Sequence, residues 1–198
     1  MKHQEHIISV FSEVVAPSAD LIANEVVNIS AKDIVIMQRA FLENEPKFRQ
    51  LIPYVVVKQD DKYLAYKRET AGGESRLHNL FSIGIGGHVD AVDAVYDEKG
   101  VFQLQQTLST GMYRELAEEL GLTAADFQGM ETIGYLAKNA TSVDAVHLGI
   151  VLVAELKTEK AIASQEEALN LAGFLSVDEL LALNLESWSE TVVHALSA

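Results

Sequence analysis

The 198-residue sequence contains no cysteine. That excludes disulfides, thiolate metal sites and every mechanism with a cysteine nucleophile, and it suits a reducing compartment. Proline is scarce, with three residues, and no low-complexity tract or internal repeat is present. With 48% hydrophobic and 22% charged residues, a disordered or collagen-like chain is excluded. Positive charge is also in short supply: 15 Lys and Arg face 29 Asp and Glu, for a net charge of −14. Such an excess repels a polyphosphate backbone, so a nucleic-acid polymer is not an expected partner. Long apolar runs are missing. The run after His6 is broken by Ser12 and Glu13, too soon for a signal-peptide core, and Leu148 to Ala154 is bounded by His147 and Glu155, too short to span a bilayer. The expectation is a cytoplasmic protein with no membrane partner. An acidic protein can still act on a small phosphate compound if a divalent metal stands between the two sets of negative charge.

The length suits one domain with a modest extension. Residues 7–16 are β-prone, and Ser30 reads as the N-cap of a helix over 31–43, with Ile34, Met37, Ala40 and Phe41 at helical spacing. The runs Pro53 to Val57 and Tyr63 to Tyr66 form a hairpin around Gln59-Asp60-Asp61-Lys62. Gly72-Gly73 mark a loop, and Asn79 to Asp90 reads as a strand entering a glycine turn. A helix is predicted over 107–120, stopped by Gly121 at the left-handed C′ position with Leu122 making the accompanying apolar contact. Strands over 129–138 and 145–156, a strand near Gly173 to Leu175, a helix at 177–183 capped by Ser176, and a last helix containing Trp188, Val192, Val193 and Leu196 complete the chain. The mixture predicts an α/β sandwich with a mixed sheet.

The segment Gly111 to Leu122 carries the chemistry. At about 100° per residue, Glu115, Glu118 and Glu119 share one arc, with Met112, Tyr113, Leu116, Ala117 and Leu120 on the other side. Like charges at i,i+3 and i,i+4 cost a helix a few tenths of a kcal/mol per pair, so the face suits a bound cation. Gly111 lies on the same arc and is expected to keep it open, and Arg114 is placed to orient Glu118. Oxygen donors at this density suit Mg²⁺ or Mn²⁺ bridging to substrate phosphates; the other reading of the triplet is a solvated face.

The run Arg114-Glu115-Leu116-Ala117-Glu118-Glu119-Leu120-Gly121-Leu122 resembles the second half of the Nudix box, G-x5-E-x7-R-E-U-x-E-E-x-G-U with U aliphatic, at every fixed position. Ser82 to Asp90 is similar to the strand and Gly-Gly turn that open the box, Tyr63 to Arg68 to the family strand ending in arginine, and Gly173 to Leu183 to the closing strand and helix. The resemblance covers residues 50–198, which implies a Nudix-like α/β/α sandwich over 49–198 with residues 1–48 as an N-terminal extension. The first half of the box departs from the pattern. Gly87 and Arg114 are 27 positions apart where the pattern has 14, a 13-residue insertion, and Gln106 stands where a glutamate is expected. Gly100 sits at the formal box-glycine distance by coincidence; Gly86-Gly87 after a strand match better.

The resemblance implies a hydrolase acting on a nucleoside diphosphate linked to another moiety, with metal-bound water attacking one phosphorus. It makes Glu115, Glu118 and Glu119 metal ligands, Arg114 the residue that orients a carboxylate, and Gly86-Gly87 the point of backbone approach. Asp90, Asp97 or Glu98 would supply the missing carboxylate, with Asp90 chosen as the fourth metal ligand. His88, Arg68 and Arg76 are substrate-binding candidates, each also readable as an ordinary turn or surface residue. His147 reads as a hydrogen-bonded strand histidine before a ligand, and Asp144 as a turn residue before one. The absence of cysteine argues against the superfamily's isomerase chemistry. The alternative is a catalytically weak Nudix-like domain that binds a nucleotide or sugar-nucleotide as a sensor, motivated by Gln106 and the insertion. Residues 1–48 lie beyond the resemblance and suit a homodimer interface.

Overall fold

The computed structural model describes residues 5–68, 79–157, 162–165 and 169–197. The chain is α/β; the described residues form nine strands and few helices in the order β1 (His6–Phe11), β2 (Ile34–Gln38), α1 (Arg39–Leu42), β3 (Phe48–Gln59), β4 (Lys62–Arg68), β5 (Phe81–Ser82), β6 (Gly84–Ile85), α2 (Leu104–Leu120), β7 (Phe127–Leu136), β8 (His147–Leu156), β9 (Leu169–Leu175), α3 (Val177–Leu181) and α4 (Ser187–Leu196). No helix among the described residues is long and apolar enough to cross a membrane. Two compact units are distinguished: residues 1–54, 86–112 and 133–151 form the first, and 55–85, 113–132 and 152–198 the second.

In the first unit β1 pairs antiparallel with β2, Ile8 opposite Ile36, and with the start of β3, Ser9 opposite Gln50. The helix expected over 31–43 is not formed. Ser30 does cap, but its amide and hydroxyl both donate to Asp33 Oδ2, at 2.9 and 2.6 Å, and the turn they close is a single 3₁₀ turn over Ala31–Asp33. The β-branched run Ile34-Val35-Ile36 then extends, because its stiff side chains pack better on a pleated edge beside β1. Helical structure returns only for the four residues of α1. Arg49, 2% exposed, lies inside this unit. Its Nη1 donates to the carbonyls of Lys138, Asp144 and His147 at 3.0–3.1 Å, and its Nη2 donates to Asn139 Oδ1 at 2.8 Å. One guanidinium thus satisfies carbonyls at both ends of the segment between β7 and β8.

In the second unit β3 and β4 form the expected hairpin, Gln59 opposite Lys62, with Asp60 in the left-handed region at φ 52°. β4 pairs along its whole length with β9 and at its end with β5, while Val55 and Val56 of β3 meet Ile85 and Gly84 of β6. Val55, Val56, Val57, Leu64, Ala65 and Tyr66 are all buried, which accounts for the continuous apolar reading of these strands. Ser176 caps α3 with a capping box to Glu179, as its sequence suggests. Glu186 caps α4 by accepting from the amides of Trp188 and Ser189.

Candidate functional site

The site residues of the second unit stand on the end of α2. Leu116 and Leu120 are buried and fix the helix by its apolar stripe. Gly121 ends it at φ 64°, its amide donating to Ala117 O and that of buried Leu122 to Leu116 O, so the stop signal works as the sequence predicts. On the opposite face Arg114 Nη1 contacts Glu115 Oε1 at 2.6 Å and Glu118 Oε2 at 3.5 Å. The Glu118 side chain is 57% exposed and that of Glu115 16%, so one carboxylate is offered to solvent and the other is held against the protein.

Glu119 is linked to a residue that the sequence reading missed. Tyr66, fully buried in β4, donates its hydroxyl to Gly84 O at 2.6 Å, while Arg68 Nη2 donates to the same hydroxyl at 3.0 Å and its guanidinium lies 5.4 Å from the ring centre. Burial pushes the phenol up to about 12, the Arg68 charge opposes this, and the Glu119 and Glu186 charges add to it. Tyr66 therefore ties Arg68 to the strand before the glycine turn, within the field of Glu119. The available signal was its place two residues before Arg68 in an apolar strand. In an alkaline absorbance titration Tyr66 is expected to ionise only near pH 12. Between the ordinary tyrosine value of 10 and that pH the native state keeps a proton that the unfolded chain loses, so stability falls as pH rises, and a Tyr66→Phe variant removes that slope.

The first unit holds the glycine turn. Gly86 has φ 152°, and a Cβ there would collide with the Pro53 carbonyl oxygen, so the chain passes β3 at a distance only glycine allows. His88, after Gly87, brings its Nε2 to 3.1 Å from His147 Nε2. His147 is hydrogen-bonded as expected, its Nδ1 lying 2.7 Å from Val143 O. Asp144 has the turn role, accepting from the Thr141 hydroxyl at 2.8 Å. Asp90 caps a 3₁₀ turn over Ala91–Asp93, its Oδ1 accepting from Val92 N, while Asp93 Oδ2 accepts from Asp90 N. Gly111 does not keep its arc of α2 open: it is buried, and a Cβ there would come within 3.0 Å of Asp93 Oδ2 and 3.3 Å of Val89. Arg76 and the Gly72-Gly73 loop lie outside the described residues.

Among the described residues no three His, Asp or Glu side chains stand together as a metal centre. What α2 offers is donor chemistry: three carboxylates at i, i+3 and i+4, with Arg114 engaging Glu115 and Glu118. Hard oxygen donors of this kind fit Mg²⁺ or Mn²⁺ and not softer cations.

No family model matches the sequence. Protein YmaB of Bacillus subtilis (strain 168) is 37% identical over 164 residues, covering 81% of this chain and 77% of YmaB. Among solved structures, the Nudix-type protein Tm1382 superposes with a TM-score of 0.77 at 24% identity, over 97% of this chain and 98% of Tm1382. The chain belongs to the YmaB family and has the Nudix fold. A second solved structure of that fold, the NUDIX domain of Shewanella oneidensis NrtR complexed with ADP ribose, gives a TM-score of 0.50 at 16% identity, over 74% of this chain and 84% of that domain. Residues 90–102 form the Asp90-capped turn and a tight Asp97–Gly100 turn closed by a Tyr96–Phe102 bridge, and α2 then starts at Leu104, ten residues ahead of Arg114. Gly100, at φ 76° with nothing within 4 Å of its Cβ position, is a turn glycine, and Gln106 lies exposed in the first turns of α2.

Proposed function

We propose that this YmaB-family protein hydrolyses the diphosphate linkage of a nucleoside diphosphate derivative with the help of Mg²⁺ or Mn²⁺. The observation that carries the reading is the run Arg114 to Leu122 on a capped helix, with Arg114 bonded to Glu115 and Glu118, in a chain of Nudix fold. The ADP ribose bound to the NrtR domain indicates the substrate class. Glu115, Glu118 and Glu119 would hold the cation, with Asp90 as the further carboxylate, and the cation would offset diphosphate charge and activate water. Arg114 orients Glu115 and Glu118 for that task. Arg68, held by Tyr66, and Arg76 bind phosphate oxygens, and Gly86, Gly87 and His88 let the backbone approach the substrate. The same reading takes the protein to be cytoplasmic and homodimeric, with residues 1–48 supplying the extension to a Nudix domain over 49–198.

A screen of nucleoside diphosphate derivatives with Mg²⁺ or Mn²⁺, including sugars, dinucleotides and oxidised triphosphates, is expected to yield metal-dependent phosphate products from at least one class. Binding without turnover across the panel would favour the sensor reading, which Gln106 supports by removing one box carboxylate.

A further inference from the structure

We propose that His88 and His147 form a second cation site, selective for a borderline divalent transition metal such as Zn²⁺ and separate in chemistry from the carboxylate helix. The two rings meet nitrogen to nitrogen, Nε2 to Nε2 at 3.1 Å, with ring centres 5.1 Å apart and planes at 66°. Two imidazoles bound tetrahedrally to zinc at about 2.0–2.1 Å stand roughly 3.3 Å apart at nitrogen, so the pair needs to open by only a few tenths of an ångström.

The tautomer is set for ligation. Val143 O accepts from His147 Nδ1 at 2.7 Å, which leaves the Nε2 lone pair aimed at His88. This is the outer-sphere bond that metal-bound histidines usually have. Without a cation the contact is a single hydrogen bond, with His88 Nε2–H donating.

A third observation points to the same spot. Gln50 is fully buried, its Nε2 is 3.4 Å from His147 Nε2, and its Oε1 is buried with no hydrogen-bond partner. An unpaired buried acceptor costs about 1–3 kcal/mol. Turning the amide over, which exchanges O for N, directs that oxygen at the nitrogen pair, where a cation satisfies it. The Arg49 guanidinium is nearby, but it is committed to three carbonyls and Asn139, and the Asp144 carboxylate lies close enough to oppose its charge. No third His, Asp or Glu joins the pair among the described residues, so water completes the coordination and the metal exchanges. When bound, it pins the residue after Gly86-Gly87 to the start of β8. Nitrogen donors select zinc, nickel or copper over magnesium.

Calorimetric titration of the full chain with Zn²⁺ in excess Mg²⁺ is the test. A one-site isotherm is expected, weakened about tenfold or more by His88→Gln and by His147→Gln and unchanged in a Glu118→Gln, Glu119→Gln double variant. That double variant separates this site from the proposed hydrolytic one. No binding in excess Mg²⁺, binding indifferent to both histidine variants, or loss of binding in the glutamate variant would each overturn the proposal. If the histidine variants fold poorly, X-ray absorption of the zinc-loaded wild-type chain decides: two imidazole ligands support the site, and an all-oxygen shell rejects it.

Discussion

Gly86→Ala is expected to destabilise the protein by roughly 3 kcal/mol or more. Two costs add. A left-handed φ of 152° strains any residue with a side chain, and the new Cβ meets the backbone oxygen of Pro53, which cannot rotate away as a flexible side chain would. Pro53 lies within β3, a strand buried over most of its length, so yielding there disturbs the core. Against a typical total of about 5–15 kcal/mol, the loss is large. Urea denaturation should show a lower midpoint at unchanged slope. Gly100→Ala is the control: φ is 76° but no atom lies within 4 Å of the Cβ position, so only backbone strain remains and the cost falls to about 1 kcal/mol. Equal losses in the two variants would show that the approach to Pro53 carries no weight.

The elements that could be read in advance are those whose signals are local. α2 has an apolar stripe and a glycine stop, and the β3–β4 hairpin has continuous apolar flanks and an Asp-Asp turn that tolerates a left-handed residue. Ser30 misled because a Ser-x-x-Asp box closes the first turn of an α-helix and of a 3₁₀ turn alike. What decided between them was the partner strand β1, which the local sequence does not name. Arg49 and Tyr66 were invisible for a related reason. Each sits in an apolar strand, and its role comes from groups far away in sequence: carbonyls at 138, 144 and 147 for Arg49, and Gly84 and Glu119 for Tyr66. The linear half of the Nudix box was legible because a helix turns spacing directly into geometry. Its first half was not, because the residues between Gly87 and α2 fold into turns of their own.

The largest kinetic effect is expected from Glu118→Gln and Glu119→Gln, and for Glu118→Gln it should run opposite to the effect on stability. The two carboxylates and Glu115 repel one another at i,i+3 and i,i+4, so neutralising either one removes a helix penalty of a few tenths of a kcal/mol. The ion pair that Glu118→Gln gives up, 3.5 Å from Arg114 with a side chain 57% exposed, is worth about as little. The unfolding midpoint of Glu118→Gln should therefore stay level or rise slightly. On the proposed reading, turnover depends on a cation held by these groups, and a neutral amide is a far poorer ligand for Mg²⁺. Replacing even an outer partner of a metal site costs about 10–100-fold, so kcat/KM should fall by more than about 100-fold for each variant. Glu119→Gln should also let Tyr66 ionise at lower pH than in the wild type, since the Glu119 charge helps to hold that phenol up; Glu118→Gln should leave that titration alone. A stable Glu118→Gln, Glu119→Gln double variant that still turns over the wild-type substrate would reduce the acidic face of α2 to a solvated helix surface and remove the cation from the proposed reaction.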